Sequence, residues 1–417
     1  MVTTIYKNNK KNIVFAYFLC IIIGIITVIY NAMNIDSSSS IYYSIIVGIS
    51  FVIQVCIIVF ASGLKLSLKV SKNTELLKFL FLISPFFTLF KQALVEDINT
   101  LDIINSFSRF ILVYVYWTIA ENNVISKENF NFFMKYIVYL GLLASFYNII
   151  VNYNKFSLLF NYINPYELAF KSFFTNRNAF AQFLLFCMMS NLYLLKIYKM
   201  KRFRFSLIIL ALNLLFTLSR TAIGCSLLFM ILMEYSNLKK IKVKNIIINF
   251  LVIILVIFFL LNPVFKNFIS HMIIRAEYGS GRLDVWNLAI NTLKNNGLLL
   301  GMGYENSIRV FQAEGYSLKE FHSFYLETLV GGGLFDLTIY SLILKYILDR
   351  VSLIKTFDKE IGSFYRASIF TFMIYAIFES ISLFRIGYVG TIFTIYLFTI
   401  PLLYSNSCHY KLVEKRF

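Results

Sequence analysis

Apolar residues in this chain come in long unbroken runs separated by short polar segments, not in the alternating or one-sided patterns of a soluble fold. The runs fall at approximately 12–30, 41–63, 75–94, 101–120, 131–151, 177–197, 203–219, 221–235, 244–262, 322–346, 364–384 and 386–405. Most approach the length of about 20 residues that crosses a bilayer core about 30 Å thick. Runs such as Leu251 to Leu261 are continuously apolar, unlike the alternating strands of a membrane barrel. The pattern predicts an all-α fold: a polytopic integral membrane protein of about 12 transmembrane helices, with one integral membrane domain covering residues 1–417.

Two polar segments are longer than turns, Asn152 to Asn176 and Asn262 to Phe321. The second, residues 262–321, is a large loop between the ninth and tenth spans. Within it Leu283, Trp286, Ile290 and Leu293 recur at helical spacing, while Asp284, Asn287, Asn291 and Lys294 take the other face. That periodicity predicts an amphipathic helix lying on the membrane. Asn295, Asn296 and Gly297 end it, and Gly301 and Gly303 mark a further turn.

A composition of 59% hydrophobic and 14% charged residues agrees with residence in lipid. The formal net charge of +18 suggests nucleic acid until its distribution is drawn. Lysines and arginines cluster before the first span (Lys7, Lys10, Lys11), after the second (Lys65, Lys69, Lys72, Lys78), at Lys127, around Lys196 to Arg204, around Lys239 to Lys244, around Lys345 to Arg366, and at the C-terminal end. By the positive-inside rule these segments and both termini are cytoplasmic, and the 262–321 loop faces outward. The expected location is the cell membrane, multi-pass, and no nucleic-acid partner is expected. The first run follows Lys10 and Lys11 but lacks a small-x-small cleavage site, so it is read as a retained span. Cys20, Cys56, Cys187 and Cys225 fall inside spans and Cys408 in the inner tail, so no disulfide framework is expected. No C-x-x-C, H-E-x-x-H or D-x-D cluster occurs, and neither a metal nor a cofactor is expected.

Charges placed in or against lipid are costly, roughly 2.5 to 3.5 kcal/mol for a central arginine on insertion scales, and are kept for a reason. Arg220 lies in LSRTA at a tight outward hairpin, Arg177 opens the sixth span in FTNRNAFA, and Arg282 opens the amphipathic helix. Guanidinium groups pair bidentately with phosphate oxygens, so three at one membrane face suit a lipid diphosphate. Each arginine taken alone is equally compatible with snorkelling to headgroups. Lys266, Arg275, Lys294, Arg309 and Lys319 read as solvated loop charges. His322 stands where the outer loop re-enters the membrane, placed to take a proton from a sugar hydroxyl or to hold a helix start. His271 and His409 have no such context. Glu379, with Arg385 about two turns on, is the best acidic candidate; Glu327, Asp336 and Glu379 have structural ion pairing as the default. The Gly331 to Gly333 cluster permits close helix packing or a kink.

Four segments together resemble the O-antigen ligase and polymerase family, including Wzy-type O-antigen and capsular polysaccharide polymerases. They are FFTNRNAFA, LSRTA, GSGRLDVWNLAI, and GMGYEN leading to FHSFYLETLVGGGL, in that order across residues 174 to 335. Ser323 after the histidine and Asp336 after the glycines depart from the pattern. The resemblance implies a GT-C-type glycosyltransferase, metal-independent, acting on undecaprenyl-diphosphate-linked oligosaccharide and polysaccharide at the outer face of the membrane. It implies Arg220 and Arg282 at the donor diphosphate and His322 at the acceptor hydroxyl. From their own positions in the chain, Arg177, Glu379 and Arg385 are substrate-binding candidates. The expected activity is polymerisation of repeat units in O-antigen or capsule biosynthesis. The alternatives are a ligase-type glycan transferase and a flippase for the same lipid-linked oligosaccharide. Expected partners are these lipid-linked glycans, membrane lipids, and a chain-length regulator or flippase.

Overall fold

The computed structural model describes residues 2–33, 40–63, 72–95, 100–156, 170–235, 282–296, 298–313, 320–381, 383–384 and 388–414, and regular structure among them is entirely helical. In chain order the helices are α1 (Val2–Met33), α2 (Ser40–Ala61), α3 (Lys72–Val95) and α4 (Thr100–Leu112). The π-helical turn Val113–Thr118 continues α4 into Ile119–Glu121. Then come α5 (Lys127–Val151), α6 (Arg177–Lys196), α7 (Phe203–Phe216), α8 (Arg220–Tyr235), α9 (Arg282–Asn296), α10 (Tyr304–Ala313), α11 (Phe324–Phe357) and α12 (Lys359–Phe378). Last is α13, running from Tyr388–Phe393 through the π-helical turn Thr394–Thr399 into Ile400–Glu414.

A helix occupies each apolar run read from the sequence except 244–262, which lies outside the described residues, as do His271, Lys266, Arg275, Lys319 and Arg385. Five described helices are long and apolar enough to cross a membrane: Ile13–Tyr30, Lys127–Val151, Arg177–Lys196, Lys359–Phe378 and Gly390–His409. Ile45–Ala61 and Phe203–Phe216 are apolar but shorter. The remaining long helices carry charges or interruptions, such as Lys72, Glu75 and Lys78 in α3 and the break at Gly333 in α11. Large apolar side chains stand exposed on helix flanks, with Phe60 at 74% and Phe205 and Ile150 at 70%. Water would penalise such flanks heavily, whereas hydrocarbon does not; this is an all-helical membrane protein.

The chain forms two compact units. One comprises residues 1–136 and 284–417, the other residues 137–283. In the first, the π-helical turns of α4 and α13 pack together, with Trp117 stacked on Phe384 and edge-on to Phe398 at 4.9 Å. A buried polar knot crosses this core. Lys78 pairs with Glu121, whose carboxylate also accepts from the Trp117 indole at 3.0 Å and the Tyr346 hydroxyl at 2.9 Å. Every charge in the knot has a partner, the condition under which ions are tolerated in a low-dielectric interior. In the second unit, α5 and α6 approach at Gly141, where a Cβ would lie 2.6 Å from the Cys187 sulfur. Asn148 donates to Asn213 at 3.0 Å and accepts from the Ser172 backbone N–H at 3.1 Å, fixing the entry to α6.

The amphipathic helix expected in the 262–321 loop is present as α9, but its inward face differs from the expected stripe. Val285, Ala289 and Thr292 are buried, Trp286 and Leu293 partly so, and Leu283 and Ile290 are exposed. The small Val285 and Ala289 sit against Phe311, Phe321 and Val330, where a closely packed interior has more use for fit than for bulk.

Candidate active site

Three helices of the 137–283 segment or at its end open on an arginine: α6 on Arg177, α8 on Arg220 and α9 on Arg282. A cation in the first turn opposes the helix dipole, which favours anions there by about 0.3–1 kcal/mol. First-turn N–H groups and a guanidinium are each chemically suited to phosphate oxygens. Local chemistry fixes the starts. Asn176 caps α6, its side chain accepting from the Ala179 N–H at 2.8 Å. Leu218 holds a left-handed φ of 56° in the turn before Arg220, so α7 ends and α8 begins within a few residues. The Arg282 Nη1 group approaches the Thr221 hydroxyl at 3.5 Å, which brings the start of α9 to the first turn of α8. All three arginines are half-buried.

His322 and Glu379 belong to the other unit. His322 has φ of 51°, a left-handed conformation uncommon for a side-chain-bearing residue and enriched where structure over-determines a functional position. Its neighbours hold it there. The Phe321 N–H donates to Glu327 at 3.2 Å, the Phe321 carbonyl accepts from the Trp286 indole at 3.1 Å, and Phe321 packs on Phe311 at 4.5 Å. Helix α12 stops at Phe378, so Glu379 lies past its end in extended conformation instead of on the helix as expected, and it is buried. Its carbonyl accepts from the Phe324 N–H at 3.3 Å, and the Ser380 hydroxyl donates to Glu327. The 379–380 turn is thereby docked on the histidine turn. Beside it, a partly open apolar cleft is lined by Phe324, Tyr325, Leu337, Tyr340, Met373 and Leu397 among others.

Helix α11 is two helices joined at Gly333, whose φ of 70° and ψ of −171° are non-helical. The backbone groups released there are taken up by the 298–303 segment. Met302 and Gly303 donate to the Val330 and Gly331 carbonyls at 2.8 Å, and Leu334 and Phe335 donate to the Leu298 and Leu299 carbonyls at 2.9 and 3.1 Å. A Cβ on Gly301 would lie 2.6 Å from the Gly331 oxygen, which is why the two backbones can approach only as glycine. Tyr304 then lies over Gly331 and donates to Asp336 at 2.7 Å. Burial, then the Asp336 carboxylate, raises the Tyr304 phenol well above its ordinary pKa and keeps it a donor. Arg109 faces the same carboxylate.

Sequence reasoning did not single out Arg109, Trp286 as a hydrogen-bond donor, Tyr304 or Ser380. Arg109 had a readable signal, a lone arginine within the 101–120 run. Glu327 accepts from Phe321 and Ser380 where pattern alone suggests an ion pair, and Ser380 lies far from it in sequence. Among the described residues no group of His, Cys, Asp and Glu side chains could hold a metal ion.

Residues 205–341 match the Wzy_C family model, described as O-antigen ligase. The match spans Arg220, Arg282, His322 and the glycine break, and it supports an O-antigen ligase or polymerase type of function. No curated protein matches the chain.

Proposed function

We propose that this protein is a polysaccharide polymerase that joins undecaprenyl-diphosphate-linked oligosaccharide repeat units at the outer face of the cytoplasmic membrane, in O-antigen or capsule biosynthesis. The observation that carries the reading is the opening of α6, α8 and α9 on arginines against the helix-dipole preference, with Arg282 reaching the first turn of α8. In this reading the chain is one GT-C-type integral membrane domain of about twelve spans, with cytoplasmic termini and an outward-facing loop at 262–321. Arg220 and Arg282 hold the donor diphosphate, and Arg177, Glu379 and Arg385 assist substrate binding. His322 serves the acceptor.

The acceptor hydroxyl oxygen bonds to the anomeric carbon as the bond from that carbon to the diphosphate oxygen breaks. The hydroxyl proton passes to the His322 imidazole, and the bonding electron pair leaves with the diphosphate. Negative charge grows on the leaving group along this path, so fixed guanidinium groups stabilise the transition state more than the ground state. The apolar cleft beside Phe324 suits the hydrocarbon of the carrier lipid. Alignment of the hydroxyl by the strained His322 turn supplies the rest.

Purified protein incubated with its lipid-linked repeat alone, with and without a chelator, should produce a ladder of longer glycans in both cases. His322→Ala should fold, bind donor and leave single repeats unextended. A normal ladder from that variant would remove His322 from the chemistry. The description of the matching family favours a second reading, a ligase that moves finished glycan to a terminal acceptor. Absence of elongation from repeats alone, with transfer restored by a separate acceptor, would decide for it.

A further inference from the structure

The buried charges at the glycine break take no part in the proposed chemistry, and their pairing is incomplete. The Arg109 guanidinium lies 3.5 Å over the Phe81 ring and 5.5 Å from the Tyr340 ring, and its Nη1 is 3.5 Å from Asp336 Oδ2. The two side chains are 8% and 1% exposed. Arg109 Nε and Nη2 and Asp336 Oδ1 have no hydrogen-bond partner among the described residues. A pair retained only for stability would close as a bidentate fork near 2.8 Å, and apolar residues at both positions would serve stability at least as well. What the pair joins is more informative. Phe81 belongs to α3, Arg109 to α4, Asp336 and Tyr340 to the second half of α11, and Tyr304 ties Asp336 to the segment spliced into the break.

We propose that Arg109 is a positioning residue: through Asp336 and Tyr304 it sets the angle at which the two halves of α11 meet, and so the place of the His322 turn. The first half of α11 starts at Phe324, one residue beyond the Ser323 cap that follows His322, and ends at the break. Gly333 supplies the freedom to bend, and a bend with that freedom needs an external fix. The backbone splice of 298–303 and the Arg109–Asp336–Tyr304 contacts provide it from one side. Phe311, Phe321, Val330 and Val285, clustered in one apolar core, transmit it to the turn. A swing of the half-helix therefore moves Phe321, whose carbonyl is held by the Trp286 indole.

The activity arm of the test rests on the role proposed for His322; the optical arm does not. With two tryptophans in the chain, Trp117→Phe leaves Trp286 as sole emitter and is the reference protein. In detergent, Arg109→Met and Asp336→Asn should each shift Trp286 emission and lower kcat about tenfold, with KM for the lipid-linked repeat changed less than about twofold. The double variant should be no worse than the poorer single, and Arg109→Lys should recover most of the emission and turnover. Unchanged emission in both singles, or losses that multiply in the double, would overturn the proposal. If Arg109→Met does not fold, Asp336→Asn and Arg109→Lys decide on the same two readouts. An emission shift with unchanged turnover upholds the link from Arg109 to the turn and overturns the role of His322 instead.

Discussion

Replacing Gly333 by alanine tests whether α11 must be broken. The backbone there, at φ 70° and ψ −171°, lies in a region populated essentially by glycine, and a side chain in it costs about 1–3 kcal/mol. An added Cβ would also collide with the Leu299 carbonyl oxygen and lie 2.6 Å from the Gly301 nitrogen. The 298–303 segment would have to withdraw, weakening the Leu334 and Phe335 hydrogen bonds at about 0.5–1.5 kcal/mol each. The combined loss is about 2–6 kcal/mol, a large share of the margin that keeps a domain folded. Gly224 is the control: it lies inside α8, nothing stands within 4 Å of its added Cβ, and alanine there should gain about 0.5–1 kcal/mol. Denaturation midpoints of the purified proteins in one detergent, titrated with SDS, give the comparison. Equal midpoints for Gly333→Ala and Gly224→Ala would show that the helix can run straight through this point without the splice.

Arg220→Lys keeps the charge but loses the fork, and turnover should fall on the order of 10²-fold with folding unchanged; turnover at the parent level would make the arginine an anchor only. Glu327→Gln keeps an acceptor for Phe321 and Ser380, whereas Glu327→Leu removes it and should cost about 1–3 kcal/mol, so leucine must lower the thermal midpoint more than glutamine does. The raised Tyr304 pKa means that the folded protein keeps a proton the unfolded chain gives up above about 10, so stability should fall as pH rises past that value. Tyr304→Phe should remove that part of the alkaline slope, and an identical slope in the variant would refute the assignment.

The helical class, the places of most helices, the arginines that open α6 and α9 and the hairpin at Arg220 are all legible in local pattern, because continuous apolar runs and capping residues such as Asn176 act within a few residues of one another. Local pattern also places His322 at a helix start and marks Gly331 to Gly333 as a point of close helix packing or bending. Three-dimensional packing is what breaks α11 at the glycines, fills the break with residues 298–303, makes Glu327 the acceptor for Phe321 and Ser380, and sets Arg109 against Asp336. A helix apolar on every side carries no periodic signal for which face meets which neighbour. Partners separated by more than two hundred residues, such as Arg109 and Asp336, are selected by packing and by the need to satisfy buried polar groups, and neither is written in local pattern.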